Sequence, residues 1–235
     1  MITALIPARA GSERVQDKNI RDLMGKPLLF YSIATALHCP SIDRVYISTN
    51  SEEYKKIAEE AGATVIMRPE SLCGPGVADY PVIEHFLKNG PKDPEYVVYL
   101  RPTTPLRSIY VVESAIKTIR DLPGIPEGPT SLRSVEEMGE SAYKCYWMIG
   151  PYLMPIGSLT LEETGMPNQG FIRTFKPNGY VDIVRPEIIE EGITWGQNIY
   201  GYVTPPIIEI DTEHDFRLIE YTLAVGKEGE YVVYK

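Results

Sequence analysis

Cysteine, long apolar runs and dense basic runs are all scarce in this chain of 235 residues. Its three cysteines, Cys39, Cys73 and Cys145, form no Cys-x-x-Cys pair, so we expect neither a disulfide framework nor a structural zinc site. No apolar stretch reaches the roughly 18 residues needed to cross a bilayer, and no signal-type segment opens the chain. Lys and Arg total 23 against 32 Asp and Glu, a net charge of −9. The composition therefore argues against membranes and nucleic acids as partners and predicts a soluble, cytoplasmic protein.

The signature motifs of several enzyme classes are also missing. The chain has no Gly-x-x-x-x-Gly-Lys-Ser/Thr loop, no Gly-x-Gly-x-x-Gly fingerprint and no Gly-x-Ser-x-Gly elbow. P-loop ATPases, dinucleotide-binding dehydrogenases and serine hydrolases are therefore poor explanations. His38 and His214 have no partner at metal-ligand spacing, and we assign them no catalytic role.

The beginning of the chain carries the strongest positive signal. An apolar run over 2–6 leads into a loop that is rich in Gly, Ser, Arg and Lys. Gly11 lets the backbone approach an anion closely, and Ser12 and nearby amides can donate hydrogen bonds. Arg9 and Lys18 can neutralise negative oxygens. A strand followed by such a loop predicts a site for the phosphates of a nucleoside triphosphate.

Short β-rich runs alternate with helical patterns over the first part of the chain, which predicts an α/β fold with a largely parallel central sheet flanked by helices. We expect strands at 2–6, 45–48, 64–67, 96–100, 130–132, 142–148, 180–184 and 199–203, and helices that begin near Pro27, Ser51 and Asp79 or span 213–225. Ligands of open α/β sheets bind beside the carboxyl ends of the strands. The first loop and the loop after residue 100 should therefore share a cleft.

A Pro- and Gly-rich segment at 122–129 precedes a more irregular part of the sequence. We expect a single domain over 1–235 with an extension at about 135–180. The extension carries apolar residues, such as Tyr152, Leu153, Met154 and Ile156, that we expect to be exposed. They could cover a partner subunit, or they could form a flap over the cleft.

Glu209 and Asp211 are two residues apart, and an extended segment would place both carboxylates on the same side. Magnesium prefers hard oxygen ligands and commonly takes one or two carboxylates together with substrate phosphates. The two acids are therefore candidate Mg²⁺ ligands. The alternative is a solvated strand edge at which Asp211 or Thr212 caps the following helix.

The chain resembles the N-acylneuraminate cytidylyltransferase family in segments that follow the family's order: 6–12, Lys18-Asn19, 25–28, 100–107 and 209–216. The resemblance implies a Rossmann-like nucleotidyltransferase fold, a Mg²⁺ requirement and a homodimer whose subunits exchange an extension into each other's active site. Members of this family, and relatives acting on Kdo, pseudaminic and legionaminic acids, activate a sugar acid with a nucleoside triphosphate and release pyrophosphate.

The resemblance also implies roles by motif position. Arg9 and Lys18 would offset the charge on the α-phosphorus and the leaving pyrophosphate, and Asp211 with Glu209 would bind the metal. Arg68 resembles the family's base-reading arginine, although an arginine commonly ends a strand. The expected catalytic residues are Arg9, Lys18 and Asp211; the nucleotide-binding residues are Ala8, Arg9, Gly11, Ser12, Lys18, Asn19, Arg68 and Asp79; and the sugar-binding residues are Arg101, Thr103, Thr104, Gln169 and Asn178.

Three departures from the family pattern concern the metal and the sugar. Glu209 stands where the family usually has Asp, and Arg101 stands where it has a Gln associated with the sugar. An arginine there could hold the substrate carboxylate as a bidentate pair. The segment 167–169 lacks the arginine that many relatives carry, and Arg173, Lys176 or Arg101 could replace it.

A fourth departure concerns the base. Asp79 lies where cytidine enzymes tend to have small residues or hydroxyls near the pyrimidine. A carboxylate can accept from the amino group of cytosine, and it also suits the N1–H and N2–H₂ donors of guanine. Our hypothesis is that Asp79 shifts or relaxes base choice toward GTP. The alternative is that Asp79 is the N-cap of the following helix.

The leading interpretation is a nucleotidyltransferase in which the anomeric hydroxyl of a 3-deoxy-2-ulosonic acid attacks the α-phosphate of CTP to give a CMP-sugar. Alternatives within the class use GTP or a sugar without the carboxylate, and a metal-dependent glycosyltransferase is a more distant one. A different class remains open, namely a non-catalytic, nucleotide-binding regulatory protein. Such a protein would bind nucleotide without Mg²⁺-dependent release of pyrophosphate.

Overall fold

The structure is a computed structural model that describes residues 1–12, 14–157 and 159–225. The strands are β1 (Ile2–Pro7), β2 (Asp22–Leu23), β3 (Lys26–Pro27), β4 (Arg44–Thr49), β5 (Thr64–Met67), β6 (Tyr96–Tyr99), β7 (Ser131–Glu137), β8 (Tyr146–Ile149), β9 (Tyr152–Pro155), β10 (Phe175–Val184) and β11 (Ile199–Val203). The helices are α1 (Leu28–His38), α2 (Glu52–Glu60), α3 (Asp79–Asn89), α4 (Ile109–Asp121), α5 (Pro186–Glu190) and α6 (Glu213–Val225).

Seven strands form the central sheet in the order β11-β7-β10-β6-β1-β4-β5. Strand β1 pairs in parallel with β4 and β6, and β4 pairs in parallel with β5. Strand β10 runs antiparallel to both β6 and β7, while β11 is parallel to β7. The predicted α/β fold with a mostly parallel sheet flanked by helices is confirmed.

Successive side chains of β1 pack into hydrophobic clusters on opposite faces of the sheet. Ala4 and Ile6 belong to the larger buried cluster, whereas Leu5 between them belongs to a second cluster that contains Phe86 of α3. Successive side chains of a strand point to opposite faces, so one strand serves both clusters. The apolar run at the start of the chain is therefore buried on both sides, as is usual for a parallel strand.

Two helix starts carry the caps that their residue types favour. The Ser51 hydroxyl accepts a hydrogen bond from the Tyr54 amide at the start of α2. Before α6, Asp215 accepts from the Thr212 amide at 2.8 Å, and the Thr212 hydroxyl accepts from the Asp215 amide at 3.3 Å. This reciprocal pair resembles a capping box. Thr212 therefore supplies the cap, and the carboxylate of Asp211 remains available to other groups.

Some elements differ from the sequence-based expectation. The segment 142–148, predicted as one strand, begins with a 3-10 turn at Ala142–Lys144 and becomes a strand only at Tyr146. The prediction also missed α4 and the short pair β2 and β3. Helix α4 begins directly after the loop at 100–107. Within the described ranges, no helix combines the length and apolar character needed to cross a bilayer.

Candidate active site

A cleft lies at the carboxyl ends of β1, β5 and β6, where the sequence predicted it. Its walls include Arg9, Ser12 and Lys18 from the first loop, Arg68 after β5, and Arg101 and Thr103 after β6. Glu209 closes the cleft from the segment that precedes α6. Because parallel strands end at the same edge of the sheet, residues about 190 positions apart in the sequence meet there.

The first loop is held in shape by hydrogen bonds within the loop and to the end of β4. Gly11 has a φ of +78°, the left-handed region that glycine adopts readily. The buried Asn19 donates from Nδ2 to the Arg9 carbonyl at 3.0 Å. The amide of Ala8 donates to the Ser48 carbonyl at 2.9 Å, and that of Ala10 donates to Asn50 Oδ1 at 2.9 Å. The loop therefore faces the cleft with Arg9, Ser12, Lys18 and Asn19, while Ala8 is buried behind it.

Lys18 connects this loop to the two acids. Its Nζ donates to the Ile210 carbonyl at 2.6 Å and lies 3.7 Å from Asp211 Oδ1. Burial lowers the pKa of Lys18, and the charge of Asp211 opposes that shift. Asp211 is also 3.4 Å from Arg14, and Glu209 accepts from the Thr103 hydroxyl at 3.0 Å. Lys18 is thus a cleft residue and not a solvated surface lysine.

The two carboxylates fit a divalent ion of the hard type. Glu209 and Asp211 flank the fully buried Ile210, so their side chains lie on the side away from the core. Within the described residues, no group of three or more His, Cys, Asp or Glu side chains is arranged for a metal. A pair of carboxylates matches the way Mg²⁺ would be held when substrate phosphates supply the further oxygen ligands.

Two arginines of the cleft, Arg9 and Arg68, have no acidic partner among the residues that the structure describes. In the described part of the chain, neither Arg9 nor Arg68 forms an ion pair within 4.0 Å. Arg9 donates to the Cys73 carbonyl at 3.2 Å, and Arg68 donates to the Ser48 carbonyl at 3.3 Å. Arg68 is only 6% exposed, its Nε has no hydrogen-bond partner among the described residues, and burial lowers its pKa. These cations leave the cleft with positive charge that an anion can neutralise.

Asp79 and Arg101 form an ion pair in the cleft wall. Arg101 Nη2 donates to Asp79 Oδ2 at 2.7 Å, and the Tyr99 hydroxyl donates to Asp79 Oδ1 at 3.0 Å. Asp79 is the first residue of α3, but the N-cap is Ala78 and no side chain caps the helix. The alternative that Asp79 is the N-cap is therefore wrong, because its carboxylate turns to Tyr99 and Arg101 instead.

Several expected sugar-binding residues do not line this cleft. Thr104 is buried and contacts the Gly179 carbonyl at 3.4 Å. Asn178 is buried and donates to the Thr204 hydroxyl at 2.7 Å. Gln169 is exposed in a 3-10 turn, Asn168–Gly170. Of the five expected residues, Arg101 and Thr103 line the cleft.

Within the predicted extension at 135–180, β8 and β9 form a two-stranded hairpin that is separate from the central sheet, whereas the two ends of the segment belong to β7 and β10 of that sheet. Its large apolar side chains are exposed, with Trp147 at 64%, Met148 at 74% and Tyr152 at 73%. The exposure expected from the sequence for Tyr152, Leu153, Met154 and Ile156 is confirmed, whereas a partner subunit or a flap over the cleft stays a prediction.

Sequence reasoning missed three residues of the site. Arg14 and Tyr99 line the cleft, and Asp182 of β10 lies behind it with both carboxylate oxygens facing arginines. Arg14 belongs to the same loop as Arg9 and could have been found from its charge. Tyr99 and Asp182 lie inside apolar strand patterns, which hide a polar role.

Comparison with known proteins gives consistent matches. A family model described as cytidylyltransferase matches residues 3–141. The N-acylneuraminate cytidylyltransferase of Escherichia coli O18:K1:H7 is 38% identical over 52% of this chain and 29% of that protein. The enzyme of the same name from Streptococcus agalactiae serotype V is 35% identical over 90% of this chain and 51% of that protein. The chain thus spans about half the length, or less, of these curated relatives.

A third relative has nearly the same length. The CMP-N,N'-diacetyllegionaminic acid synthase of Legionella pneumophila is 28% identical over 97% of this chain and 98% of that protein. Among solved structures, a CMP:2-keto-3-deoxy-manno-octonic acid synthetase complexed with CTP superposes with a TM-score of 0.70. The identity is 16%, and the match covers 95% of this chain and 98% of that one. This likeness supports the fold.

Proposed function

The chain belongs to the cytidylyltransferase family, and from that premise we propose that it transfers CMP from CTP to a 3-deoxy-2-ulosonic, sialic-acid-like sugar. The observation that carries the proposal is the first loop, which brings Arg9, Ser12 and Lys18 into the same cleft as Glu209. A nucleotide with four negative charges matches a cleft in which Arg9 and Arg68 have no acidic partner among the described residues. The sugar acids named for the relatives supply the acceptor class.

The proposed reaction is a single in-line displacement. The anomeric hydroxyl of the sugar attacks the α-phosphorus, a new O–P bond forms, and the bond to the pyrophosphate oxygen breaks. The hydroxyl proton passes to solvent. Arg9 and Lys18 stabilise the charge that develops on the phosphoryl oxygens and on the leaving group.

Glu209 and Asp211 would hold Mg²⁺, and the ion would supply positive charge to the phosphate oxygens and help orient the reacting groups. Before nucleotide binds, Lys18 and Arg14 lie next to Asp211. The Arg14–Asp211 pair is exposed on both sides, and such pairs are worth little, so a metal can replace Arg14 at Asp211 at small cost. The released Arg14 can then bind the triphosphate.

The extension at 135–180 belongs to the same proposal. We assign its exposed hairpin to a contact with a second copy of the chain, which gives a homodimer. Since Gln169 is exposed and lies away from the described cleft, its contribution to the sugar would be made across the contact with that second copy, whereas the buried side chain of Asn178 is held by Thr204 of its own chain. We also place the enzyme in the cytoplasm.

A sugar without a carboxylate is the second candidate acceptor. Arg101, Arg173 and Lys176, the three cations that could replace the missing family arginine, each have an acidic partner in the described chain. GTP as donor is tested in the same assay, because Asp79 lines the cleft as a hydrogen-bond acceptor.

The test is Mg²⁺-dependent release of pyrophosphate with CTP, GTP, UTP and ATP, each combined with N-acetylneuraminic, Kdo, pseudaminic and legionaminic acids. Turnover with CTP and one acid supports the proposal. Lys18→Met should lower the rate by about 10²- to 10³-fold while CTP still binds. Asp79→Ala should reduce GTP use more than CTP use if Asp79 reads the base, and equal losses would reject that role. CTP binding without pyrophosphate release across the panel would favour the regulatory alternative.

A further inference from the structure

Four charged side chains in and behind the cleft wall form a unit of connected ion pairs: Asp79, Arg101, Asp182 and Arg133. Asp182 accepts from Arg101 Nη1 at 2.5 Å through one oxygen and from Arg133 Nε at 3.5 Å through the other. Arg101 in turn donates to Asp79 at 2.7 Å. Two carboxylates and two guanidiniums therefore balance, and the unit has no net charge.

Burial makes this arrangement difficult to open. The side chain of Asp182 is 0% exposed, while those of Arg101 and Asp79 are 20% and 32% exposed. A buried carboxylate that loses its partner is strongly unfavourable, so Arg101 is tied to Asp182 first. The Arg101 guanidinium also lies 5.0 Å over the Tyr99 ring, and Tyr99 donates to Asp79. Three contacts thus fix Arg101 before any ligand enters.

Asp79 is the exposed end of the unit. It lies at the start of α3, where the positive end of the helix dipole favours a carboxylate. One oxygen accepts from Tyr99 and the other from Arg101, and each oxygen keeps a further lone pair that is available to the cleft.

We propose that Asp79 is a specificity-determining residue that neutralises Arg101 and so prevents this part of the cleft from binding an anionic group. The proposal rests on the function proposed above and refines its substrate. The carboxylate of an acidic sugar is not held by Arg101; instead, Asp79 selects an N–H or O–H donor of the ligand at this position. Removing the negative charge of Asp79 leaves the unit with one excess positive charge, and this part of the cleft then becomes an anion site.

The matched pair of variants is Asp79→Asn and Glu84→Gln. Each removes one negative charge from α3 with little change in shape. Glu84 pairs with Lys88 at 2.9 Å on the outer surface of the helix and does not line the cleft. A difference in ligand binding between the two variants therefore depends on the position of the lost charge, because both variants have the same net charge.

Ligand binding is measured by calorimetry on metal-free protein, so that the proposed Mg²⁺-dependent reaction does not proceed during the measurement. The probes are N-acetylneuraminate and its methyl ester, both with CTP present, and pyrophosphate alone. We expect Asp79→Asn to raise the preference for the acid over the ester by about five- to tenfold and to tighten pyrophosphate binding. Glu84→Gln should change neither quantity. Arg101→Gln added to Asp79→Asn should remove both gains.

Two results would overturn the proposal. One is an unchanged acid-to-ester preference in Asp79→Asn together with unchanged pyrophosphate binding. The other is a tenfold or greater loss of acid binding in Arg101→Gln alone, which would mean that Arg101 holds the carboxylate. If Arg101→Gln fails to fold because Asp182 loses its partner, the comparison of Asp79→Asn with Glu84→Gln decides alone. If no variant binds either sugar, the proposed acceptor is wrong, and the pyrophosphate measurement still decides the role of Asp79.

Discussion

Arg107 offers the most direct test of how the cleft is supported. Its side chain is 1% exposed and has no carboxylate partner in the described chain. It donates instead to three carbonyls, those of Arg101 at 2.6 Å, Gly179 at 3.1 Å and Tyr180 at 2.5 Å, and to the Ser32 hydroxyl at 2.8 Å. One guanidinium thus joins the loop after β6 to β10 and α1.

The loss of unfolding free energy expected for Arg107→Met can be worked out from these four hydrogen bonds. A hydrogen bond to a charged group contributes about 1.5–3 kcal/mol, and the acceptors that lose Arg107 would remain buried without a partner. Arg107→Met also removes the desolvation cost of a buried cation, which offsets several kcal/mol. Full burial lowers the pKa of Arg107, in agreement with that cost. We expect a net loss of about 3–5 kcal/mol of unfolding free energy, at the upper end for a single substitution.

Chemical denaturation measures this loss, and thermal denaturation should show a decrease in Tm of about 6–20 °C for a chain of this size. Arg107→Lys should recover less than half, because an ammonium cannot donate in the same planar pattern. Arg120→Met, at an exposed position near the end of α4, is the control and should change stability by less than about 0.5 kcal/mol. A loss below about 1 kcal/mol in Arg107→Met would refute the reasoning.

Three further predictions concern the metal, the hairpin and acid stability. Chelation should abolish pyrophosphate release, and Asp211→Asn should raise the Mg²⁺ concentration needed for half-maximal rate; metal-independent turnover would contradict the assignment. Trp147→Asp in the hairpin should convert a dimer to a monomer in light scattering, whereas Tyr110→Asp, at an 85% exposed position on α4, should not. Burial acts to raise the pKa of Glu113, but hydrogen bonds from Ser41 and Cys39 outweigh it, and the pKa lies below its ordinary value of 4.5. The unfolded chain therefore binds the proton more tightly, so this stabilisation is present above pH 4.5 and is lost as the pH falls through the folded-state pKa. Glu113→Gln should make the acid loss of stability less steep in denaturant titrations between pH 6 and pH 3, and an unchanged slope would count against it.

The order of the helices and of the central-sheet strands up to β6 was predictable because hydrophobic periodicity is local, whereas the short pair β2 and β3 was missed. Each of β1, β4, β5 and β6 is a short β-rich run, and all were expected within one or two residues of their observed bounds. Helix α2 was expected from Ser51, whose hydroxyl makes the predicted cap. The location of the cleft followed from the same pattern, because parallel strands end at one edge of the sheet.

The partners of the charged residues were not predictable in this way. Arg101 was expected to face the substrate, but its strongest partner is Asp182, which follows 81 positions later in an apolar strand pattern. The antiparallel insertion of β10 between β6 and β7 brings the two together. Sequence spacing fixes neighbours only within a strand or helix, whereas an ion pair across strands depends on the topology of the sheet.

The cost of separating each ion pair bears on which cation can meet a sugar carboxylate. Arg101 would have to leave the buried Asp182, and Lys176 would have to leave Glu136, which is 9% exposed and 2.9 Å away. Arg173 is different, because it lies 3.4 Å from Glu137 with the two side chains 74% and 47% exposed. Exposed pairs contribute little and exchange partners easily, whereas opening a buried pair leaves an uncompensated charge. Of the three candidates, Arg173, within the extension at 135–180, can therefore bind a ligand carboxylate at the lowest cost.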